Sequence, residues 1–353
     1  MEPLTLDRYS ERAAEILPPP VYAFLAGGAG DERTLHANIS AYQRWWLMPH
    51  VLADVSARST TTEVLGQSVS SPILIAPSAM HAMAHEEAEE ATVRAAGNAG
   101  TVLVLSLGSS LPVETVMTAA TGPVWFQAYI GKDRGRSAEV IRRAEEAGCS
   151  ALVVTVDAPL VGGRTRELNS GFEVLPEWFA DGHTPMYGLT APVASNRGAT
   201  ELWDPSLSWG DLEWLSTIST LPLILKGVLR ADDGARAAAE GVAGIIVSNH
   251  GGRQLDSTPP TLDVLPEICE AVDGRIEVLI DGGIRRGTDI LKALALGAKA
   301  VLVGRPILWG LAVAGAEGVE TVLGLLNDEL ELAMGLCGAS TINQISRDLV
   351  RRA

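Results

Sequence analysis

Residues 276–305 read IEVLIDGGIRRGTDILKALALGAKAVLVGR and contain the structural unit that decides the fold. An apolar strand pattern at residues 276–280 ends in a glycine-rich turn, an amphipathic helix pattern follows, and a second apolar strand pattern covers residues 300–303. Both strand patterns are continuously apolar rather than alternating, which indicates parallel strands covered on both faces. The stretch therefore predicts one strand, helix, strand unit of an α/β protein.

The same unit recurs along the whole chain, with alanine-rich amphipathic helices between short apolar runs. The eight predicted strands are Pro72–Ala76, Thr101–Leu105, Pro123–Ala128, Ala151–Val156, Pro222–Leu225, Ala243–Val247, Ile276–Ile280 and Ala300–Val303. Eight such units predict an α/β fold of the (β/α)8 or TIM barrel type, with a doubly wound open sheet as the alternative.

No linker composition marks a domain boundary, so we expect a single domain over residues 1–353. Its expected parts are an N-terminal helical extension at 1–71, a barrel at 72–316 and two C-terminal helices within 317–353. A short β element around Trp45–Leu47 is expected to close the floor of the barrel.

A long insertion follows the fourth predicted strand, at residues 161–221. It is rich in glycine, proline and tryptophan, and it carries one clear helix pattern, Gly210–Thr217. A long loop after a barrel strand is typical of an active-site lid, and we predict that role here.

Composition excludes several classes of protein. The chain of 353 residues is 47% hydrophobic and 20% charged, which is enough for a sizeable core. Its formal net charge of −16 argues against sequence-independent nucleic-acid binding. The charged start and the lack of a long apolar run predict a cytoplasmic protein without a membrane segment.

Cysteine and histidine usage gives no metal or disulfide pattern. Cys149, Cys269 and Cys337 lie far apart, so neither a disulfide framework nor a cysteine zinc site is expected. His81 and His85 are four residues apart but lack a third ligand, and we predict no metal site.

Polar residues cluster where the predicted strands end, which is where barrel enzymes hold their active sites. Together with the glycines beside them, the strand-end residues are Ser78, Ser106, Gln127, Tyr129, Thr155, Asp157, Lys226, Ser248, Asn249, His250, Asp281, Gly282, Gly283, Gly304 and Arg305. One serine or threonine there is usually a helix cap, whereas a full polar ring indicates an active site.

Two strand ends have the features of a phosphate site. The turns IDGGIRRG and LVGRP bring glycine N–H groups together with Arg285 and Arg305 on neighbouring predicted strands. This pattern predicts a phosphorylated cofactor or substrate.

The remaining polar residues suggest acid–base chemistry on an anionic substrate. His250 with Asp157 forms a candidate general-base pair, and Arg164 with Arg253 could clamp a carboxylate. Lys226 could stabilise negative charge on a cofactor ring, or it could form a Schiff base as strand-end lysines of barrel aldolases do.

The segments SNHGGRQLD, APSAM, WFQAY, TVDAP and LILKG, together with the opening stretch, give the chain a family resemblance. It resembles the FMN-dependent L-2-hydroxy acid oxidases and dehydrogenases over nearly its whole length, most closely the 4-hydroxymandelate oxidases. The resemblance implies FMN as cofactor, His250 as base, Asp157 as its partner, substrate binding by Arg164, Arg253 and Tyr129, and Lys226 facing the flavin. It implies further cofactor contacts from Ala79, Ser106, Gln127, Thr155, Ser248, Asp281, Gly283, Arg285, Gly304 and Arg305. The family also suggests a homotetramer.

Two departures from the glycolate oxidases bear on the substrate. Phe24 stands where they have tyrosine, and Gly108 stands where they have tryptophan, so the pocket is roomier and less polar. We expect (S)-4-hydroxymandelate or (S)-mandelate to be oxidised to the benzoylformate. The lack of a haem domain and of a membrane-like insertion favours O2 as acceptor, reduced to hydrogen peroxide, and Ala79, where some similar dehydrogenases carry glycine, points the same way. The pocket could instead be filled from the insertion by Trp178, Phe179, Met186 or Tyr187.

Other readings stay open at this point. The substrate could be L-lactate or a long-chain 2-hydroxy acid, or the enzyme could be a mandelate dehydrogenase that passes electrons to a quinone. An FMN-dependent isomerase or nucleotide dehydrogenase on the same barrel would share the phosphate site, and a silent flavin-binding barrel would bind cofactor without turnover. The set of His250, Asp157, Arg164 and Arg253 favours the hydroxy acid oxidase.

Overall fold

The computed structural model describes residues 5–178 and 202–353, and eight parallel strands in it close into a barrel. The strands in chain order are β1 Trp45–Leu47, β2 Thr62–Val64, β3 Gln67–Val69, β4 Ile73–Ile75, β5 Leu103–Ser106, β6 Val124–Ala128, β7 Leu152–Thr155, β8 Leu223–Val228, β9 Gly244–Val247, β10 Glu277–Asp281, β11 Ala300–Val303 and β12 Val350–Arg352. The barrel order is β10-β11-β4-β5-β6-β7-β8-β9. All eight predicted barrel strands are confirmed. The open-sheet alternative is excluded because β11 pairs with β4, Val301 opposite Ile73.

Helices precede the barrel strands in the N-terminal extension, and further helices follow the strands and pack outside them. In chain order they are α1 Leu6–Ile16, α2 Pro19–Ala26, α3 Arg33–Ala41, α4 Ala88–Asn98, α5 Val113–Ala119, α6 Arg134–Glu146, α7 Thr165–Ser170, α8 Asp211–Ile218, α9 Ala231–Ala239, α10 Thr261–Val272, α11 Gly287–Ala295 and α12 Arg305–Cys337. The apolar faces of these helices and the outer faces of the strands share one hydrophobic core.

The floor of the barrel is closed by the hairpin β2–β3. Val64 and Val69 are buried in the same cluster as the side chains that fill the barrel interior. The indole Nε1 of Trp125 donates to Oε1 of Gln67 at 3.1 Å, and the Leu65 amide donates to Glu277. The expectation that residues 45–47 close the floor is wrong, because β1 pairs antiparallel with the C-terminal β12.

The C-terminal region differs from the two helices expected over 317–353. One helix, α12, runs from Arg305 to Cys337 with a kink at Ala314–Gly315, and two short 3-10 turns and β12 follow it. Gly315 has a φ of 56°, which favours glycine, and a Cβ there would lie only 3.0 Å from the ring of His85. By length and composition α12 could cross a membrane, but 61% of its most apolar window is buried inside the protein.

The insertion after the fourth barrel strand carries more regular structure than its sequence suggested. The predicted helix is present as α8, shifted by one residue. The short helix α7 and a 3-10 turn at Pro176–Trp178 were not predicted, because glycine and proline flank them closely. Residues 179–201 of the predicted lid lie outside the described residues, so the lid and the domain limits remain predictions.

The N-terminal extension packs over the C-terminal ends of the strands and helps to build the site. Asn38 on α3 and Asn249 exchange two side-chain amide hydrogen bonds of 2.8 Å. Gly283 adopts a φ of 80° and lies so close to the Asn38 carbonyl that a Cβ would sit 2.1 Å from its oxygen. Only glycine fits this contact, so Gly283 is required for docking the extension.

Candidate active site

A cavity of about 1290 Å³ opens at the C-terminal ends of the barrel strands. Its volume exceeds that of ordinary single-ligand pockets, so it has room for a cofactor together with a substrate. The predicted site residues that line it are Phe24, Ala79, Ser106, Gly108, Gln127, Tyr129, Thr155, Arg164, Lys226, His250, Arg253, Asp281, Gly283, Arg285, Gly304 and Arg305. Ser78 and Gly282 also line it, whereas Asp157, Ser248 and Asn249 do not. Asp157 and Ser248 are each hydrogen-bonded to residues of this wall.

His250 sits between a carboxylate and a phenol. Its Nδ1 is 3.0 Å from Oδ1 of Asp157, and its Nε2 is 3.3 Å from Oη of Tyr129. Burial lowers the pKa of His250 below its ordinary value, although Asp157 acts against this shift. A neutral His250 therefore donates its Nδ1–H to the acceptor-only carboxylate, which leaves the Nε2 lone pair facing the cavity.

The carboxyl group of Asp157 remains ionised despite its position. Burial acts to raise its pKa, but His250 and Lys226 outweigh burial and bring the pKa below the ordinary value. Within the described residues, Oδ2 of Asp157 is buried without a hydrogen-bond partner. Asp157 is thus an ionised group dedicated to His250, as a base-orienting carboxylate requires.

The backbone turn that carries His250 is unusual and well supported. His250 has a φ of 59°, in the left-handed region that few residues other than glycine adopt. Ser248 Oγ accepts the His250 amide at 3.0 Å, and the Asn249 side chain accepts the Gly252 amide. These bonds and the docked Asn38 hold the turn, so the imidazole position is fixed before any ligand binds.

Lys226, Ser248 and Asp281 form a buried polar group at the ends of three successive strands. Nζ of Lys226 is 3.0 Å from Oδ2 of Asp281 and donates to Ser248 Oγ at 2.9 Å, and Ser248 donates to Asp281 at 2.9 Å. Burial opposes the charge on Lys226, but Asp281 and Asp157 raise its pKa above the ordinary value. A permanently charged ammonium is a poor Schiff-base nucleophile, so the aldolase-like alternative for Lys226 is disfavoured.

A chain of neutral polar groups crosses the neighbouring wall. Ser106 Oγ donates to Gln127 Oε1 at 3.1 Å, and Gln127 Nε2 donates to Thr155 Oγ1 at 3.0 Å. The three side chains are buried at the ends of β5, β6 and β7. Their shared orientation suits them to polar edges of a planar ligand.

Arg164 and Arg253 converge on the buried carboxylate of Glu167. Oε2 of Glu167 is 3.4 Å from Nη1 of Arg164 and 3.6 Å from Nη2 of Arg253. Nη1 of Arg253 also donates to the carbonyls of Phe24 and Gly27, at 2.6 and 2.9 Å. Both guanidinium groups line the cavity, where they can meet a carboxylate.

Arg285 and Arg305 lie in the turns that follow β10 and β11, and they are suited to bind an anion there. Burial lowers the pKa of Arg285 to about 10 and that of Arg305 to about 9. Arg305 donates to the carbonyls of Leu25, Gly251 and Gly27. Buried cations on a cavity wall are stabilised by a bound anion, as the phosphate pattern in the sequence predicted.

Asp281 adds an acceptor for a hydroxyl-bearing ligand. Its Oδ1 is buried and has no hydrogen-bond partner among residues 5–178 and 202–353, while Asp281 itself lines the cavity. A buried orphan acceptor beside two arginines fits a group that carries both hydroxyls and a phosphate. The residues present therefore fit a phosphorylated cofactor such as FMN.

Aromatic residues from two distant segments form the outer wall. Phe24 stacks on Phe172 with ring centroids 4.4 Å apart, and Phe172 stacks on Trp178 at 5.8 Å. The Arg253 guanidinium lies over the Phe24 ring at 4.8 Å. Phe172 lines the cavity, whereas Trp178 does not. Of the alternative pocket-filling residues, Phe179, Met186 and Tyr187 lie outside the described residues.

The cavity-wall residues that sequence reasoning missed include Glu167, Phe172 and Trp203. Trp203 is buried and stacks on Tyr129 with centroids 4.6 Å apart. Glu167 follows Arg164 by one helical turn, a signal that could have linked it to the clamp. Phe172 and Trp203 stand in irregular segments, where no periodicity marks them.

The known proteins that are similar to this chain agree with one another in the type of enzyme that they name. A family model described as FMN-dependent dehydrogenase matches residues 13–352. L-lactate oxidase of Nostoc sp. is 47% identical over 97% of this chain and 96% of its own. 2-Hydroxyacid oxidase 1 of Homo sapiens is 44% identical over 99% of this chain and 96% of its own. The crystal structure of mandelate oxidase with (S)-4-hydroxymandelic acid is 39% identical, with a TM-score of 0.93 over 99% of each chain.

Proposed function

Because this chain belongs to the FMN-dependent dehydrogenase family and is a 2-hydroxy acid oxidase, we propose that its substrates are aryl (S)-2-hydroxy acids. The reaction is oxidation of (S)-mandelate or (S)-4-hydroxymandelate to the 2-oxo acid, with O2 reduced to hydrogen peroxide. The observation that carries this proposal is the cavity wall, on which Phe24 stacks on Phe172 and Gly108 carries no side chain.

FMN, when bound, accepts the two electrons that leave the substrate. Arg285, Arg305 and Gly304 would hold its phosphate, with Gly283 nearby, and Asp281 would accept from a ribityl hydroxyl. Ala79, Ser106, Gln127 and Thr155 would meet the flavin ring, with Ser248 supporting the wall from behind. Lys226 would supply a fixed positive charge beside the ring.

The site geometry supports the following roles for the protein side chains in the reaction. Arg164 and Arg253 hold the substrate carboxylate, and Tyr129 with His250 faces the hydroxyl-bearing carbon. His250 accepts a substrate proton at Nε2, and Asp157 stabilises the resulting imidazolium through Nδ1. Because the turn at His250 is already fixed, little reorganisation precedes this step.

The aryl preference rests on shape and chemistry of the wall. Phe24 and Phe172 offer an apolar aromatic surface next to the carboxylate clamp, and in this proposal the substrate side chain lies against it. Aromatic rings pack well on such a surface, at offset or edge-on angles. The mandelate oxidase relatives support this choice, because one of them carries (S)-4-hydroxymandelic acid.

L-lactate is the second candidate substrate. The Nostoc L-lactate oxidase shares 47% identity with this chain, more than the mandelate oxidase structure does. Overall identity therefore favours a small side chain, whereas the cavity wall favours a ring. Specificity depends on a few wall residues, so we give the wall more weight.

The test is anaerobic stopped-flow mixing of the FMN-loaded enzyme with (S)-4-hydroxymandelate, (S)-mandelate, L-lactate and glycolate, followed at about 450 nm. We expect the aryl acids to bleach the flavin with the highest second-order rate constants, and air to restore colour with formation of peroxide. Faster bleaching by lactate would overturn the aryl assignment. Slow recovery in air with rapid recovery on adding a quinone would overturn oxygen as acceptor.

A further inference from the structure

Glu167 is a fixed negative charge inside the carboxylate clamp. Its side chain is only 9% exposed, and one oxygen, Oε2, approaches both Arg164 and Arg253. Glu167 therefore forms ion pairs with two guanidinium groups. The empty clamp thus contains two positive charges and one negative charge.

The position of Glu167 is set by the helix that carries it. Helix α7 starts directly after Arg164, and Glu167 lies one turn further on, where i and i+3 side chains are neighbours. Arg166 of the same helix forms an ion pair with Glu32 of the N-terminal extension. Glu32 in turn accepts the Gly28 amide at 2.8 Å. Helix α7 is therefore tied to the N-terminal extension through Arg166 as well as to the clamp through Glu167.

The surrounding cavity is crowded with positive charge. Arg253 shares it with Arg164, Arg285 and Arg305. Burial lowers the pKa of Arg253 well below its ordinary value, and Arg164 and Arg305 lower it further, while Glu167 acts in the opposite direction. Glu167 is thus the carboxylate that directly offsets the charge of the clamp arginines.

We propose that Glu167 determines substrate charge: it restricts the clamp to monocarboxylate 2-hydroxy acids and disfavours dicarboxylates. With Glu167 in place, Arg164 and Arg253 retain one net positive charge, which a single carboxylate neutralises. A second carboxylate on the ligand has no unmatched cation at the clamp and meets the negative field of Glu167 in a partly dry cavity. Selection against the wrong ligand by a like charge is a general source of specificity.

The inference rests on the proposed function only in that Arg164 and Arg253 hold the ligand carboxylate. Its test uses two inert ligands that differ by one carboxylate, phenylacetate and phenylmalonate, both ionised at about pH 8. Their dissociation constants are measured on the FMN-loaded enzyme by titration calorimetry. We expect the wild type to bind phenylacetate at least about tenfold more tightly.

Three variants separate charge from shape. E167Q removes the charge and should reduce the preference for phenylacetate by roughly 5- to 20-fold. E167D keeps the charge and should keep the preference. Glu173 is an exposed carboxylate on the same cavity wall, so E173Q is the matched control and should change the preference by less than about twofold.

Each contrary result is decisive. Equal or tighter binding of phenylmalonate by the wild type would overturn the proposal without any variant, even if E167Q fails to fold. An unchanged preference in E167Q, or an equal change in E173Q, would also overturn it. If (S)-mandelate is not oxidised but the preference shifts as expected, the aryl substrate is wrong and the charge selection by Glu167 stands.

Discussion

Nδ1 of His250 lies 3.0 Å from Oδ1 of Asp157, and this pair joins the ends of two strands that are not neighbours in the barrel. Asp157 follows β7 and His250 follows β9, with β8 between them. The contact passes over Gly227 in β8, where a Cβ would lie 2.6 Å from that of Asp157. A side chain at position 227 would collide with Asp157, so the His250–Asp157 pair requires glycine there.

Replacement of Asp157 by asparagine tests the pair. We expect D157N to slow anaerobic flavin reduction by roughly 10²- to 10⁴-fold, because His250 loses the charge that stabilises its protonated form. FMN content should be unchanged, because Asp157 does not line the cavity. Loss of FMN, or reduction at the wild-type rate, would contradict the role given to Asp157.

The pH dependence of kcat/KM follows from His250. The base must be neutral to accept a proton, and burial lowers its pKa below the ordinary value of 6.5. Activity should therefore be flat through neutral pH and fall about tenfold per pH unit below that pKa. Tyr129 should add no limb at moderately alkaline pH, because burial and Asp157 raise its pKa above 10.0. A profile measured with (S)-mandelate that falls already at about pH 7.5 would be inconsistent with this.

Gly108 and Ala79 are predicted to be energetically coupled. A Cβ on residue 108 would lie 3.0 Å from Cβ of Ala79, so the methyl group of G108A forces one of the two strand-end loops to shift. We expect G108A to lower kcat/KM for (S)-mandelate by roughly tenfold, and to have a clearly smaller effect in the A79G background. The measurement is the rate of flavin reduction without oxygen. If G108A has the same effect in the wild-type and A79G backgrounds, the contact between residues 79 and 108 does not cause the loss of activity.

Breaking the buried Lys226–Asp281 pair should be costly. D281N leaves the Lys226 ammonium without its charged partner, and we expect a loss of about 3 kcal/mol in the free energy of unfolding of the FMN-free protein. FMN affinity should fall as well. D232N is the matched control: it breaks the exposed Arg230–Asp232 pair and should leave the urea midpoint unchanged.

The barrel floor should contribute stability without affecting catalysis. Val64 is fully buried in the interior cluster, and V64A should cost about 2 kcal/mol in urea unfolding. The KM for (S)-mandelate should stay the same, because the cavity is at the other end of the strands. V51A removes the same atoms from a side chain that is 83% exposed, and it should not change the urea midpoint.

The sequence predicts the barrel well because each barrel strand is covered on both faces. Such strands are uniform apolar runs, which stand out from the amphipathic helices between them. The floor hairpin was missed for the opposite reason: TEVLGQSV buries little more than Val64 and Val69 and is otherwise polar. Its place depends on contacts with Trp125 and Glu277, far away in the chain.

Within the site, residues at strand ends could be predicted and residues on loops could not. His250, Lys226 and Asp281 stand directly after apolar runs, so the fold alone places them on one rim. Glu167 lies in TRELNS, which has the composition of a solvated surface helix. Its importance comes from Arg253, a partner that local sequence does not indicate.

The contacts that place the cationic side chains connect opposite parts of the polypeptide. Arg253 and Arg305 bond to carbonyls of Phe24, Leu25 and Gly27, which leave the ribosome more than two hundred residues earlier. A truncated barrel that lacks residues 24–27 cannot hold these two arginines in place, however well its strands pair. Activity therefore depends on docking of the N-terminal extension, and on mild denaturation it should be lost before the barrel unfolds.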